Sequence, residues 1–114
     1  MNRRIKAGWV KKLRSGKFKQ GLDALRQGKG AETEYCCLGV LTAMAVKNGV
    51  CPAKTAWHGN AGDQVLCSAV IKWAGLPNGN PDVFGKDEFI TNLASLNDHA
   101  VSFAKIADII EAQL

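Results

Sequence analysis

The chain has 114 residues, a length that suits one domain built around one hydrophobic core. Apolar residues make up 46% and charged residues 22%, ordinary for a globular protein, and no apolar run approaches the ~20 residues that a membrane span needs. The formal charge is +5, but residues 1–30 hold ten cationic side chains against Asp23 alone, a net +9 that leaves −4 on the rest of the chain. Such asymmetry points to an anionic partner for the N-terminal third, to an acidic surface on a second copy of the chain, or to a solvated helix face. The basic start, residues 1–6, leads into a mixed helix without an apolar h-region or cleavage site. That argues against a signal peptide and for a cytoplasmic protein.

Residues 3–14 read as an amphipathic helix. Ile5, Trp9, Val10 and Leu13 form one apolar stripe, Asn2 is a suitable N-cap, and Ser15-Gly16 ends the helix. Trp9 shares the stripe with aliphatic neighbours and is expected in the core rather than as a base-stacking platform. Residues 17–26 and 33–37 are expected to pair as a short hairpin across the turn residues Gln27-Gly28-Lys29-Gly30. The spacing of Leu22 and Leu25 leaves a helical turn as the alternative. Residues 38–48 are nearly all apolar and predict a central, buried helix, closed by Gly49 and Pro52. Gly39 inside it costs about 1 kcal/mol against Ala, which implies that another element packs close there.

Residues 52–63 lack periodicity and read as a surface loop. Residues 64–74 predict a second amphipathic helix, stopped by Gly75 and Pro77. A hairpin or strand-like loop is expected over 82–90 and a short helix over 91–96. Ser102 is expected to cap a final helix with Phe103, Ile106, Ile109 and Ile110 in a stripe. The fold class is therefore α+β: a single domain over 1–114 with about five helices and one or two small β-hairpins. Trp9, Leu13, Leu41, Met44, Val70, Trp73, Phe103, Ile106 and Ile110 are expected to share one core.

The four cysteines, Cys36, Cys37, Cys51 and Cys67, lack the paired spacing of a zinc site. Without secretion they are expected as reduced, buried residues, not as a disulfide framework. No metal or cofactor is called for. The stretch RSGKFKQGLDALRQGKG is rich in glycine and cations. It is not a phosphate-binding P-loop, because six residues separate Gly21 from Gly28 and Gly30 stands where Ser or Thr should follow Lys29. Its glycines punctuate turns, and its chemical promise lies in the cations and Gln20. A Cys–His pair using His58 or His99 is the one enzymatic alternative, and no carboxylate pair stands out.

The segments WVKKLRSGKFKQG, LR, YCCLGVL, WAGL, LASLND and SFAKIADIIE together resemble a family of small proteins of tailed bacteriophages and prophages with no assigned activity. The resemblance spans nearly the whole chain and implies action in the cytoplasm of an infected or lysogenic bacterium. It carries over no catalytic residue. It groups Arg14, Lys17, Gln20, Arg26, Cys37, Asn97 and Asp98 as polar or reactive members of its motifs.

Arginine, lysine and glutamine together can hold phosphates and a base edge. The expected ligand-binding residues are Arg14, Lys17, Lys19, Gln20, Arg26, Asn97 and Asp98. The expected function is non-enzymatic sequestration of a phosphate-bearing small molecule, such as a nucleotide immune signal, by a homo-oligomer acting in counter-defence. Nucleic-acid binding, and docking of the basic helix on an acidic host protein, are the alternatives. For Asn97 and Asp98 two roles stand open. One is a local turn; the other is flanking the ligand, with Asp98 accepting hydrogen bonds from a sugar hydroxyl or from Arg14 or Arg26.

Overall fold

The computed structural model describes residues 1–58 and 64–114. Helix α1, Arg3–Arg14, forms as its stripe predicts. The Asn2 Oδ1 accepts the Ile5 N–H at 3.0 Å, and Trp9, Val10 and Leu13 turn inward. Trp9 is fully buried, and its indole N–H donates to the Cys37 carbonyl at 2.9 Å, so even its polar edge is satisfied in the core. The Ser15 hydroxyl donates to the Lys12 carbonyl, and Gly16 turns the chain with φ at 74°.

Helix α2, Cys37–Lys47, is the central element. It packs on α1, on α3 (Ala53–His58), on α4 (Ser68–Ala74) and on α5 (Leu93–Asp98). Almost every side chain in its first three turns is buried. The close neighbour implied by Gly39 is the backbone of Leu25: a Cβ on Gly39 would overlap the Leu25 carbonyl. Helix α6, Phe103–Gln113, lies along α1 and buries Phe103, Ile106, Ala107 and Ile110. Ser102 caps it, accepting the Lys105 N–H at 3.3 Å.

Two antiparallel two-stranded sheets complete an α+β fold with one hydrophobic core. Strand β1, Arg26–Gln27, pairs with β2, Glu34–Tyr35, in the register Arg26 to Tyr35. Strand β3, Asp82–Phe84, pairs with β4, Ile90–Asn92, and buries Val83.

Four details depart from the sequence reading. The expected strand over 17–26 is broken: Gln20 makes a single parallel bridge to Tyr35, and Asp23 adopts a left-handed φ of 67° that drops Leu25 into the core before β1 begins. Residues 53–58, read as surface loop, form α3 and bury Ala56 and Trp57; residues 59–63 of that loop lie outside the described residues. Six residues are too few to show a helical period. The helix over 64–74 starts only at Ser68; before it, the Leu66 N–H bonds the Gly79 carbonyl at 3.0 Å. Trp73 packs at the edge of the core and is half-buried, whereas the other eight expected core residues are buried within it. Helices α1 to α6 are six among the described residues, α3 being the addition to the expected set.

Candidate functional site

The expected ligand residues fall into three groups. Gln20, Asn97 and Asp98 come together, but they close on one another and on the backbone. Asn97 is 0% exposed. Its Oδ1 accepts the Gln20 Nε2–H at 3.0 Å and the Cys37 N–H at 3.1 Å, while its Nδ2 donates to the Gly21 carbonyl at 2.7 Å. The Gln20 amide also donates to the Val101 carbonyl at 2.8 Å. The exposed Asp98 carboxylate accepts the Asp23 N–H at 2.9 Å. Asn97 thus satisfies one of the free N–H groups at the start of α2 and ties the 20–23 segment to the end of α5. We call this arrangement the latch. Asp98 engages neither Arg14 nor Arg26, in contrast to one of the two roles its sequence position suggested.

Arg14 stands apart from the latch. Its guanidinium bonds Asp108 at 2.7 Å and Glu111 at 3.2 Å on α6. Hydrogen bonds to Glu111 and then Asp108 raise its pKa further above the ordinary arginine value. Part of the charge asymmetry is therefore answered inside the chain, by the acidic face of α6.

Lys17 and Lys19 bracket Phe18 in the chain, and Phe18 and Arg26 belong to one aromatic group. Phe18 meets Tyr35 edge-on at 5.2 Å, Tyr35 tilts toward Trp57 at 6.0 Å, and the Arg26 guanidinium lies 4.3 Å over the Trp57 ring. The backbone sets this up. The Tyr35 N–H donates to the Lys19 carbonyl at 2.8 Å, while Arg26 pairs with Tyr35 from the other side. Lys19 leans toward Glu32 at 3.7 Å, a loose, exposed pair.

Beside this group, the turn at Ser15-Gly16 folds Lys17 and Phe18 back against α1. The resulting cleft, about 320 Å³, is lined by Gly8, Lys11, Lys12, Ser15, Lys17 and Phe18. Three lysines line it, and no acidic residue does. The carbonyl end of α1 contributes about half a negative charge nearby, which three lysines outweigh. Sequence reasoning placed Lys17 in the site but not Lys11, Lys12 or Phe18. The available signal was the Lys11-Lys12 pair followed by a Ser-Gly reversal, which returns a third lysine to the same helix end.

Cys36 and Cys37 are poorly suited to nucleophilic attack. Burial pushes the Cys36 thiol up to about 11 and the Cys37 thiol up as well, so both stay protonated at neutral pH. The Cys36 sulfur caps α2 by accepting the Gly39 N–H at 3.3 Å. The His99 Nδ1 is held by the Ser95 carbonyl at 2.7 Å. Among the described residues, no three His, Cys, Asp or Glu side chains gather as a metal site. No helix there is long and apolar enough to cross a membrane.

A small α+β domain with a hydrogen-bonded polar latch inside and a lysine-lined cleft outside is the class of protein these features define. The chain belongs to the family described as domain of unknown function (DUF8296), whose family model matches residues 1–114. No curated protein and no solved structure matches it.

Proposed function

We propose that this protein is a non-enzymatic binder that sequesters a phosphate-bearing small molecule, with the phosphates held in the cleft between α1 and residues 15–18. One observation carries the reading: Lys11, Lys12 and Lys17 converge on one cleft that no carboxylate lines. Its volume falls at the lower end of small-molecule sites, which run from roughly 300 to 1,000 Å³. The protonated, buried thiols at Cys36 and Cys37 favour binding over thiol catalysis. The resemblance to small phage and prophage proteins supports a counter-defence role in the bacterial cytoplasm, with a nucleotide immune signal as ligand.

The test is titration calorimetry against cyclic and ADP-ribose-derived nucleotides, with pyrophosphate and a phosphate-free nucleoside as controls. Heat is expected for at least one phosphorylated member and none for the nucleoside. Silence across the panel overturns the proposal. A second reading rests on a different observation, the Arg26–Trp57 stack beside Lys19 and Tyr35. Cations set among aromatic rings suit single-stranded nucleic acid. That role requires affinity that falls steeply with salt and grows with strand length, so a gel shift with no retention at low salt removes it.

A further inference from the structure

Two helices of this fold begin at a cysteine, and the two caps behave differently. Cys36 precedes α2 and Cys67 precedes α4 in nearly the same extended backbone, with φ and ψ of −79° and 173° against −77° and 163°. The Cys36 sulfur accepts the Gly39 N–H, whereas the Cys67 side chain makes no capping bond. The Cys67 thiol meets the Cys51 thiol instead, and the two side chains share a hydrogen bond.

The backbone seats each of these cysteines separately. Helix α2 ends in a left-handed turn at Gly49, where φ is 71°. There the Gly49 N–H donates to the Val46 carbonyl and the Val50 N–H to the Ala45 carbonyl, both at 3.0 Å. The reversal packs Val50 and Cys51 back against the core. On the other side, the Leu66 N–H bonds the Gly79 carbonyl, and the Cys67 carbonyl accepts the Ile71 N–H at 3.1 Å as α4 begins. Helix α2 packs on α4, so the pair meets through elements of the core and not through α3, which lies between them in the chain. Cys67 is buried and Cys51 is half-buried; both are free thiols.

We propose that Cys51 and Cys67 are a reversible redox pair, joined by an intrachain disulfide when a small peroxide reaches half-buried Cys51. The Cys51 thiolate attacks one peroxide oxygen. An S–O bond forms, the O–O bond breaks, and the leaving hydroxide takes up a proton and departs as water. The Cys67 thiol then gives up its proton, and its sulfur attacks the sulfenic sulfur of Cys51. The S–S bond forms, the S–O bond breaks, and a second water leaves. Two thiols are oxidised, and one peroxide is reduced to two waters. Burial, and then the neighbouring Cys67, raise the Cys51 pKa above 9.0, so the first step is slow at neutral pH and quickens as pH rises. In a reducing compartment such bonds are transient and report oxidants. This one ties the end of α2 to the start of α4 on either side of α3, whose Trp57 underlies the Arg26 guanidinium. Oxidation thereby stiffens the seat of the aromatic group, and reduction releases it. The inference does not depend on the lysine cleft, whose residues play no part in it.

Peroxide treatment of the folded chain, followed by alkylation of the remaining thiols, digestion and mass spectrometry, tests the assignment. The expected product is one link between Cys51 and Cys67, with Cys36 and Cys37 alkylated only after unfolding. It should run as a single chain on a non-reducing gel. Its urea midpoint should lie above that of the reduced chain, because the link restricts the unfolded state, and dithiothreitol should return it to the starting value. Cys51→Ser should abolish both the link and the shift; Cys67→Ala reads the same bond should that variant fail to fold. A Cys51 halted at the sulfenic or sulfinic acid while Cys67 stays free for alkylation overturns the proposal. So does a link into Cys36, Cys37 or a second chain, a link that forms only after urea is added, or a linked chain with an unchanged midpoint.

Discussion

The latch and the lysine cleft draw on the same stretch of chain, yet they are opposites. In the latch, Gln20 and Asn97 turn their amides inward, and Asn97 is completely buried with its hydrogen bonds made. In the cleft, three residues away from Gln20, Lys17 joins Lys11 and Lys12 on a surface that no carboxylate lines. Polar side chains that look equally available in a sequence are separated by burial and by partner. A buried, satisfied amide holds the fold together, whereas lysines lining one cleft are open to an anion. The latch should therefore answer to stability measurements and the cleft to binding measurements.

The sharpest challenge to that division is Asn97→Ala. It leaves the Cys37 N–H and the Gly21 carbonyl without partners and removes one of the two bonds of the Gln20 amide, at about 1–3 kcal/mol for each buried group left unpaired. Partial relaxation brings the expected loss to about 3–5 kcal/mol, read by urea unfolding. A midpoint within error of wild type would show that the latch is ornamental.

Next in size is a pH effect at the start of α2. The Cys36 thiol has a folded pKa of about 11 against an ordinary value of 9.0, because burial disfavours the thiolate. A thiol whose pKa is raised by folding contributes nothing adverse below pH 9; as pH rises from there toward 11, deprotonation favours the unfolded chain. Two units correspond to about 2–3 kcal/mol lost across that window. Cys36→Ala should flatten the part of the alkaline decline that belongs to this group, and an identical decline in the variant would assign it elsewhere.

Gln20→Ala removes one arm of the latch but leaves Asn97 its bonds to Cys37 and Gly21. A loss of about 1–2 kcal/mol is expected, clearly smaller than for Asn97→Ala. Equal losses would mean the two amides act as one inseparable unit. The smallest stability effect belongs to the cleft: Lys12→Ala with Lys17→Ala should leave unfolding within about 0.5 kcal/mol of wild type. The same pair should weaken capture of any phosphorylated ligand by about tenfold or more. A large stability loss with unaltered binding would exchange the roles of the two regions.

The long periodic segments were legible in the sequence because burial and helical period coincide there. The stripes of α1, α2 and α6, the caps Asn2 and Ser102, and the close approach implied by Gly39 all carry local signatures. Helix α3 carries none, since only Ala56 and Trp57 are buried in it. The broken strand before β1 was hidden because Asp23 takes a left-handed conformation to place Leu25, a choice made by tertiary packing. The site was legible only as composition. Arg26 stacks on Trp57, and Phe18, between Lys17 and Lys19 in the chain, meets Tyr35. But Trp57 sits in the segment read as loop, and the partners of Gln20 and Asn97 lie too far along the chain for spacing to reveal them.

That separation also has a kinetic side. Gln20 and Asn97 are 77 positions apart, and Cys37 and Asn97 are 60 apart. Closing a loop of the longer span costs about 4 kcal/mol of chain entropy, more than one hydrogen bond returns. Helices α1, α2 and α6 must first collapse and bring α5 alongside α2. The latch is then expected to close after the transition state, as the last long-range contact made and the first one lost. In stopped-flow experiments Asn97→Ala should leave the refolding rate nearly unchanged and speed unfolding by a factor of roughly 150 to 5,000, so that one buried amide sets how long each molecule stays folded.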